Sequence, residues 1–342
     1  MKLLVTGASG FLGQYVVVEA LRRGFEVRAV VRPSSDEKRL PWYNHPQVEL
    51  ARIDLQQSNI VDALDNVNAV IHLAAAKQGN FETQYNSTVV ATENLLKAMV
   101  SAQVRRLVAI STFSVFDYLY IPSGEIITED SPIEREPKQR DVYAQTKLIQ
   151  ENIVRNFSVK SDGEVTIIRP GVVYGRDNLW NACLGVKVSE RLWIQIGKNA
   201  QIPLTYVENC AEAIVAAVNC EQAIGKTLNI VDDDLPTQSI YAAKLIKLMA
   251  RSPISIPVNW TMMRWLARTS WLFNKLLADK VKLPGILIPA RLHARFKPLR
   301  YSNTRAQEVL NWKPKYSLDA ALERSCSDIE LLNVPHHSLP TP

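Results

Sequence analysis

A short apolar run, Lys2-Leu3-Leu4-Val5, leads without interruption into Thr6-Gly7-Ala8-Ser9-Gly10-Phe11-Leu12-Gly13 and then into a helix-like stretch over 14–23. Glycines at every third position between a strand and a helix leave few folds open. Gly7 lets the backbone turn sharply off the strand, Gly10 lets it approach a pyrophosphate, and Gly13 lets the helix pack close to a sheet, with phosphates at the helix N-terminus. The spacing is GxxGxxG, whereas the common dinucleotide fingerprint is GxGxxG, and such a turn also occurs simply as a turn. The rest of the chain decides its meaning.

That rest repeats the opening pattern. Apolar, β-branched runs recur at 3–5, 26–31, 48–53, 69–73, 106–110, 165–169 and 227–231, with amphipathic helical stretches between them, notably 87–102 and 143–157. Near-continuous apolar strands alternating with helices predict an α/β fold: a doubly wound parallel sheet (Rossmann fold) with a smaller C-terminal lobe. The pattern assigns 1–175, continued by 204–232, to the sheet domain. It assigns 176–203 and 233–330 to a substrate-binding lobe, and 331–342 to a flexible tail.

At 342 residues the chain can bury a substantial core. No long uncharged apolar run suggests a membrane span, and the first apolar stretch ends in the glycines, so a cytoplasmic protein is expected. The four cysteines, Cys183, Cys210, Cys220 and Cys326, have no metal-ligand spacing, so no metal and no disulfide are expected, and buried, reduced thiols are. The net charge of +6 is concentrated: residues 251–300 carry ten basic side chains against one acid, Asp279, together with Trp260, Trp265 and Trp271. No nucleic-acid module accompanies this charge, so nucleic acid is not an expected partner. Within 257–300, Met262, Trp265, Leu266, Leu272, Phe273 and Leu276 fall at helical spacing among Arg264, Arg268 and Lys275. That pattern fits either peripheral contact with an anionic membrane or a helix packed on its own domain.

Tyr143-Ala144-Gln145-Thr146-Lys147 opens a predicted helix, and residues i and i+4 share a helix face. An ammonium beside a phenol stabilises the phenolate, so Tyr143 could exchange a proton with a substrate oxygen, assisted by Lys147; taken alone, the spacing fits a chance helix pair with an exposed lysine better. The glycine turn, His72-Leu73-Ala74-Ala75-Ala76, Ser111-Thr112-Phe113-Ser114-Val115-Phe116, the Tyr143/Lys147 pair and Arg169-Pro170-Gly171-Val172-Val173-Tyr174-Gly175 occur together and in order. Asn311-Trp312-Lys313-Pro314-Lys315-Tyr316-Ser317-Leu318 follows. In these motifs the chain resembles an extended short-chain dehydrogenase/reductase of the NAD-dependent epimerase/dehydratase family, from Met1 to about Glu323.

The resemblance implies hydride transfer between a nicotinamide and a secondary alcohol or ketone, with Thr112, Tyr143 and Lys147 as the catalytic residues. It places the cofactor against Gly7, Ser9, Gly10, Phe11, Leu12, Gly13, Asp54, Leu55, Leu73, Ala74, Ala75, Pro170, Val172 and Val173, with Tyr143 and Lys147 at the nicotinamide end. For cofactor choice, the second strand ends in Arg32-Pro33-Ser34-Ser35 rather than in an acid that would hold a ribose hydroxyl. Arg32 could clamp a 2′-phosphate, which favours NADP, with NAD the alternative. Ser111 and Ser114 read as strand-end caps.

Thr88 stands where the family usually has an asparagine, and Phe116 replaces the usual tyrosine. Nucleotide-sugar enzymes of the family carry Asn at the position of Val172 and an Arg-Asp pair before the later Tyr-Val. Residues 197–207, Gly-Lys-Asn-Ala-Gln-Ile-Pro-Leu-Thr-Tyr-Val, more closely resemble the branch with 3β-hydroxysteroid dehydrogenases and dihydroflavonol reductases. A small, rather apolar substrate is therefore expected, with a homodimer left open. The alternatives are a nucleotide-sugar epimerase or dehydratase, toward which Lys77 points, and a non-catalytic NADP-binding sensor.

Overall fold

The computed structural model describes residues 1–57, 60–189, 191–249 and 252–333. All seven apolar runs become strands of one sheet: β1 (Lys2–Thr6), β2 (Glu26–Val31), β3 (Val48–Arg52), β4 (Ala69–His72), β5 (Arg106–Ile110), β6 (Glu164–Pro170) and β7 (Thr227–Ile230). Their order is β7-β6-β5-β4-β1-β2-β3, and every neighbouring pair is parallel. The order reverses between β1 and β4, which opens a crevice beyond their carboxyl ends.

Helices cover both faces. They are α1 (Phe11–Arg22), α2 (Phe81–Tyr85), α3 (Ala91–Ser101), α4 (Val142–Lys160), α5 (Val207–Ala216), α6 (Gln238–Lys247), α7 (Trp260–Leu276), α8 (Pro289–Phe296), α9 (Thr304–Leu310) and α10 (Leu318–Ser325). Alternate side chains of each strand point to opposite faces. Leu3 and Val5 pack with α1 and α5, whereas Leu4, Val70, Leu107 and Val165 pack with α3 and α4. Every strand but the edge strand β3, which keeps Glu49 and Arg52 exposed, is buried on both faces, and those strands read as near-continuous apolar runs. The expected helix at 87–102 is instead α2, a π-helical turn at Asn86–Val90, and α3.

The lobe contains a small sheet of Val186–Ser189, Leu192–Ile196 and Ile254–Val258, with α7 and α8 packed through Ile196, Met263, Ala267, Leu292 and Phe296. The assignment of all of 233–330 to this lobe needs correction. Leu310, Trp312, Leu318, Ala321 and Leu322 join the core beneath α1 and α5, because their apolar faces are buried there rather than in the lobe. Arg324 binds the Glu208 carboxylate on α5 at 2.8 Å, and the Leu331 N–H donates to the same carboxylate at 3.1 Å. The first residues of the expected tail at 331–342 are not a tail: Leu331 is buried and Leu331–Asn333 form a short turn, while 334–342 lie outside the described residues. All four cysteines are free, and Cys326 is exposed rather than buried.

Candidate active site

The turn after β1 has the geometry its glycines require. Gly7 sits at φ +68°, a left-handed conformation, and a Cβ on Gly13 would lie 2.1 Å from the Gly7 carbonyl oxygen. Gly10 caps α1 without a side-chain hydrogen bond, so the first-turn N–H groups are left facing the crevice. A cleft of about 360 Å³ opens there. Gly7, Ser9, Gly10, Arg32, Asp54, Leu55, Leu73, Ala74 and Ala75 line it, as do Val30, Val31, Ser34, Ser35, Ile53, Gln56, Ser87 and Ala91. The latter eight were not singled out as cofactor contacts from the sequence.

Other expected cofactor residues lie outside the cleft wall. Phe11 and Leu12 pack against the core at the start of α1, with the Phe11 ring edge-on to Tyr15 at 5.7 Å. Pro170 ends β6, and Val172 and Val173 follow it in a separate short strand, Val172–Tyr174, paired with Leu204–Tyr206, with the Val172 N–H bonded to the Pro203 carbonyl at 2.6 Å. Arg32 is exposed at the rim and forms no ion pair among the described residues. Asp54 accepts the Gln56 N–H at 3.0 Å, which closes the turn it stands in.

Thr112 follows β5, and its Oγ1 accepts the Ser114 N–H at 3.2 Å, fixing the side chain at the strand end. Asp141 caps α4 by accepting the Ala144 N–H at 3.0 Å, which sets Tyr143 and Lys147 on the first turns of that helix. Burial pushes the Tyr143 phenol up to about 12, Thr112 opposes the shift through a hydrogen bond, and the Asp141 carboxylate adds to it. The expected lowering by Lys147 is corrected here. The Lys147 ammonium donates to the Ile110 carbonyl and to Gln150 Oε1, and burial, helped by Lys77 and opposed by Glu151, brings it down to about 7.

A buried polar chain continues from Lys147 toward the phosphate turn. The Gln150 amide donates to Thr92 Oγ1 at 2.8 Å, the Thr92 hydroxyl donates to the Thr88 carbonyl at 2.5 Å, and His72 Nε2 lies 2.8 Å from Thr92. Thr92 has spent its own proton on Thr88, so His72 Nε2–H donates to it. His72 Nδ1 then accepts from the Thr6 hydroxyl, 2.7 Å away. Burial, with the Lys147 charge nearby, lowers His72 to about 3 and keeps it neutral. Thr6 Oγ1 and Thr88 Oγ1 in turn accept the N–H groups of Ala74 and Ala76, at 3.3 and 3.1 Å, so Thr88 does hold the loop that an asparagine was expected to support. Gln150, Thr92 and Thr6 were missed from the sequence; Gln150, three residues after Lys147 on the same helix, was findable by spacing.

Ser111 also does more than cap a strand. It donates to Glu151, whose carboxylate pairs with Arg169. Against the upward push of burial, Arg169, Ser111 and Arg155 hold Glu151 down to about 2. This fixed charge ties β5, α4 and β6 together behind Thr112.

The pattern of the NAD dependent epimerase/dehydratase family matches residues 3–230. The chain belongs to that family. It is an NAD(P)-dependent oxidoreductase of the extended short-chain type. A sterol-4-alpha-carboxylate 3-dehydrogenase, decarboxylating, from Mus musculus is 27% identical over 337 residues, covering 95% of this chain and 90% of its own. A 3 beta-hydroxysteroid dehydrogenase/Delta 5-->4-isomerase of Mycobacterium tuberculosis (strain ATCC 25618 / H37Rv) is 25% identical over 341 residues, covering 94% and 88%. Family members in the solved structures share the fold. UDP-Glucuronic acid 4-epimerase from Bacillus cereus, in complex with NAD, superposes with a TM-score of 0.70 at 19% identity over 99% of this chain and 98% of that one. Among the described residues no helix is long and apolar enough to cross a membrane, and no group of three His, Cys, Asp or Glu side chains could hold a metal ion.

Proposed function

We propose that the chain is an NADP-dependent dehydrogenase or reductase acting on a secondary alcohol or ketone of an apolar, sterol-like ring system, with Thr112, Tyr143 and Lys147 as its catalytic residues. The observation that carries this reading is the placement of the Thr112 and Tyr143 hydroxyls together, with Lys147 one helical turn on. The cleft fits a dinucleotide on this chain's own terms: a left-handed Gly7, a Gly13 with no room for a Cβ, and uncapped N–H groups at α1 suit a pyrophosphate. Arg32 with Ser34 and Ser35 would hold a ribose phosphate, Asp54 and Leu55 the adenosine side, and Lys147 the ribose hydroxyls near the nicotinamide.

The nicotinamide, when bound, supplies or receives the hydride. Tyr143 supplies the proton. With its phenol near 12 it stands protonated at neutral pH, ready to donate to a carbonyl oxygen during reduction and to recover that proton during oxidation. Thr112 donates a hydrogen bond to the same oxygen and fixes its position. The names of the relatives support a 3-hydroxyl on a steroid skeleton, and Val172 is apolar where the family's nucleotide-sugar enzymes carry an asparagine.

The test incubates the purified chain with a 3β-hydroxysteroid and NADP, or the corresponding 3-ketone and NADPH, and follows nicotinamide absorbance. Net cofactor turnover, lowered about a thousandfold by Tyr143→Phe with nucleotide affinity retained, is expected. Turnover of a nucleotide sugar without net change in cofactor would replace this reading with an epimerase, and unchanged turnover in Tyr143→Phe would remove the proton donor.

A further inference from the structure

Helix α7 has two apolar stripes. Met263 and Ala267 are buried in the lobe against Ile196, Leu292 and Phe296, and Asn274 is buried further along the same face. On the other side, Met262, Trp265, Leu266, Leu272, Phe273 and Leu276 stand in water, with Trp265 61%, Phe273 64% and Leu276 84% exposed. At 3.6 residues per turn these six fall within an arc of roughly 120°. Arg264, Arg268 and Lys275 fall between the two stripes, along one edge of the outer one, and Lys280 and Lys282 follow the helix end. A helix that only packs on its own domain needs one apolar face. This one has a second, bordered by cations.

We propose that the outer stripe of α7 docks on the surface of an anionic lipid bilayer, its rings and aliphatic chains entering the acyl boundary while the bordering cations meet the headgroups. The charges choose this occupant over a second copy of the chain. Two copies meeting through this face would add one row of cations to another with no acid to neutralise either, and among the described residues Arg264, Arg268, Lys280 and Lys282 form no ion pair. Lys275 alone is paired, with Asp279 at 2.8 Å. A lipid surface supplies the missing negative charge and the missing apolar cover at once. The exposed Ile254 and Ile256, on the strand that immediately precedes the helix, extend the apolar surface.

The position of the helix gives the contact a use. α7 packs on α8, and Arg291 of α8 donates to the carbonyls of Gln139 and Arg140 at 3.3 and 3.0 Å, immediately before the Asp141 cap that sets Tyr143. A bilayer under α7 therefore lies against the lobe that borders the reacting tyrosine, where an apolar substrate could pass from lipid to site without crossing water. That use rests on the proposed substrate class. The docking itself does not.

The test is flotation of the full chain with vesicles of phosphatidylcholine, with and without phosphatidylserine, at low and high salt, which needs neither substrate nor turnover. Binding to the anionic vesicles, weakened at least tenfold by high salt, is expected. Arg264→Glu with Arg268→Glu should weaken it at least tenfold, and Trp265→Ser with Phe273→Ser and Leu276→Ser at least as much, with NADP binding unchanged as proof of folding. Failure of the wild-type chain to float with anionic vesicles at low salt overturns the proposal. So does flotation that survives both sets of substitutions, or a dimer in sedimentation that the apolar substitutions dissociate. Tyr143→Phe should float like the wild type, so loss of the hydride reading and loss of the docking reading give different results.

Discussion

The nucleotide half and the lobe solve the same burial problem differently. In the first, every strand but the edge strand β3 is buried on both faces, and the critical positions are backbone ones: a left-handed glycine, an uncapped helix end, a carbonyl that holds a lysine. In the second, a three-stranded sheet carries helix α7, whose outer apolar stripe is left exposed among the described residues. Where the ligand is a phosphate, whose shape and charge do not vary, geometry can be built into the main chain. Where it is one apolar molecule among many, side chains decide, and they can be changed without unfolding the half beneath.

Substitutions at three positions test that contrast. The largest effect is expected from Gly13→Ala, whose Cβ would press on the Gly7 carbonyl at 2.1 Å. The turn must shift, overpacking of this kind costs about 1–3 kcal/mol, and nucleotide affinity should fall about a hundredfold by titration calorimetry. A Gly13→Ala chain that binds as well as the wild type would show the turn to be looser than a backbone-built site allows.

Next, Lys147 should act in its charged form, present below its value of about 7 and lost as pH rises through it. Gln150→Leu removes an acceptor from the ammonium, so the decline in kcat/KM should begin at lower pH; Gln150→Glu adds a carboxylate and should delay it. A profile unmoved by both would make Gln150 a packing residue only.

The smallest effect belongs to the exposed rim. Arg32→Ala should weaken NADPH binding about tenfold, the order of one solvent-screened charged hydrogen bond, and NADH binding hardly at all. Equal losses for the two nucleotides would move the choice of cofactor away from Arg32.

The sequence was most legible where chemistry is local. All strands but the edge strand β3 could be read because both of their faces are buried, and the glycine turn because each glycine answers a steric demand within a few residues. Of the partners of Lys147, Gln150 was within reach of helix spacing, but the main-chain carbonyl of Ile110 was not, nor was the chain that runs on from Gln150 through Thr92, His72 and Thr6 across two helices and two strands. Proximity in sequence suggested that Lys147 acts on Tyr143, while burial in the folded chain sets both groups in the opposite direction. Ser34 and Ser35 stood in view beside Arg32 but gained meaning only when the cleft wall was built. The C-terminal helices could not be allotted correctly, because an amphipathic helix advertises one apolar face without naming the surface that will cover it.

That C-terminal segment has a consequence for how the protein is made. Leu310, Leu318, Leu322 and Leu331 complete the packing beneath α1, and Glu208 waits for Arg324 and the Leu331 N–H. A ribosome that has released only the first 300 residues has therefore released a nucleotide-binding half with part of its floor still inside the exit tunnel. The turn at Leu331–Asn333 packs on α1, so a truncation, fusion or pause in synthesis near residue 320 leaves that floor open beneath the helix that follows the phosphate turn.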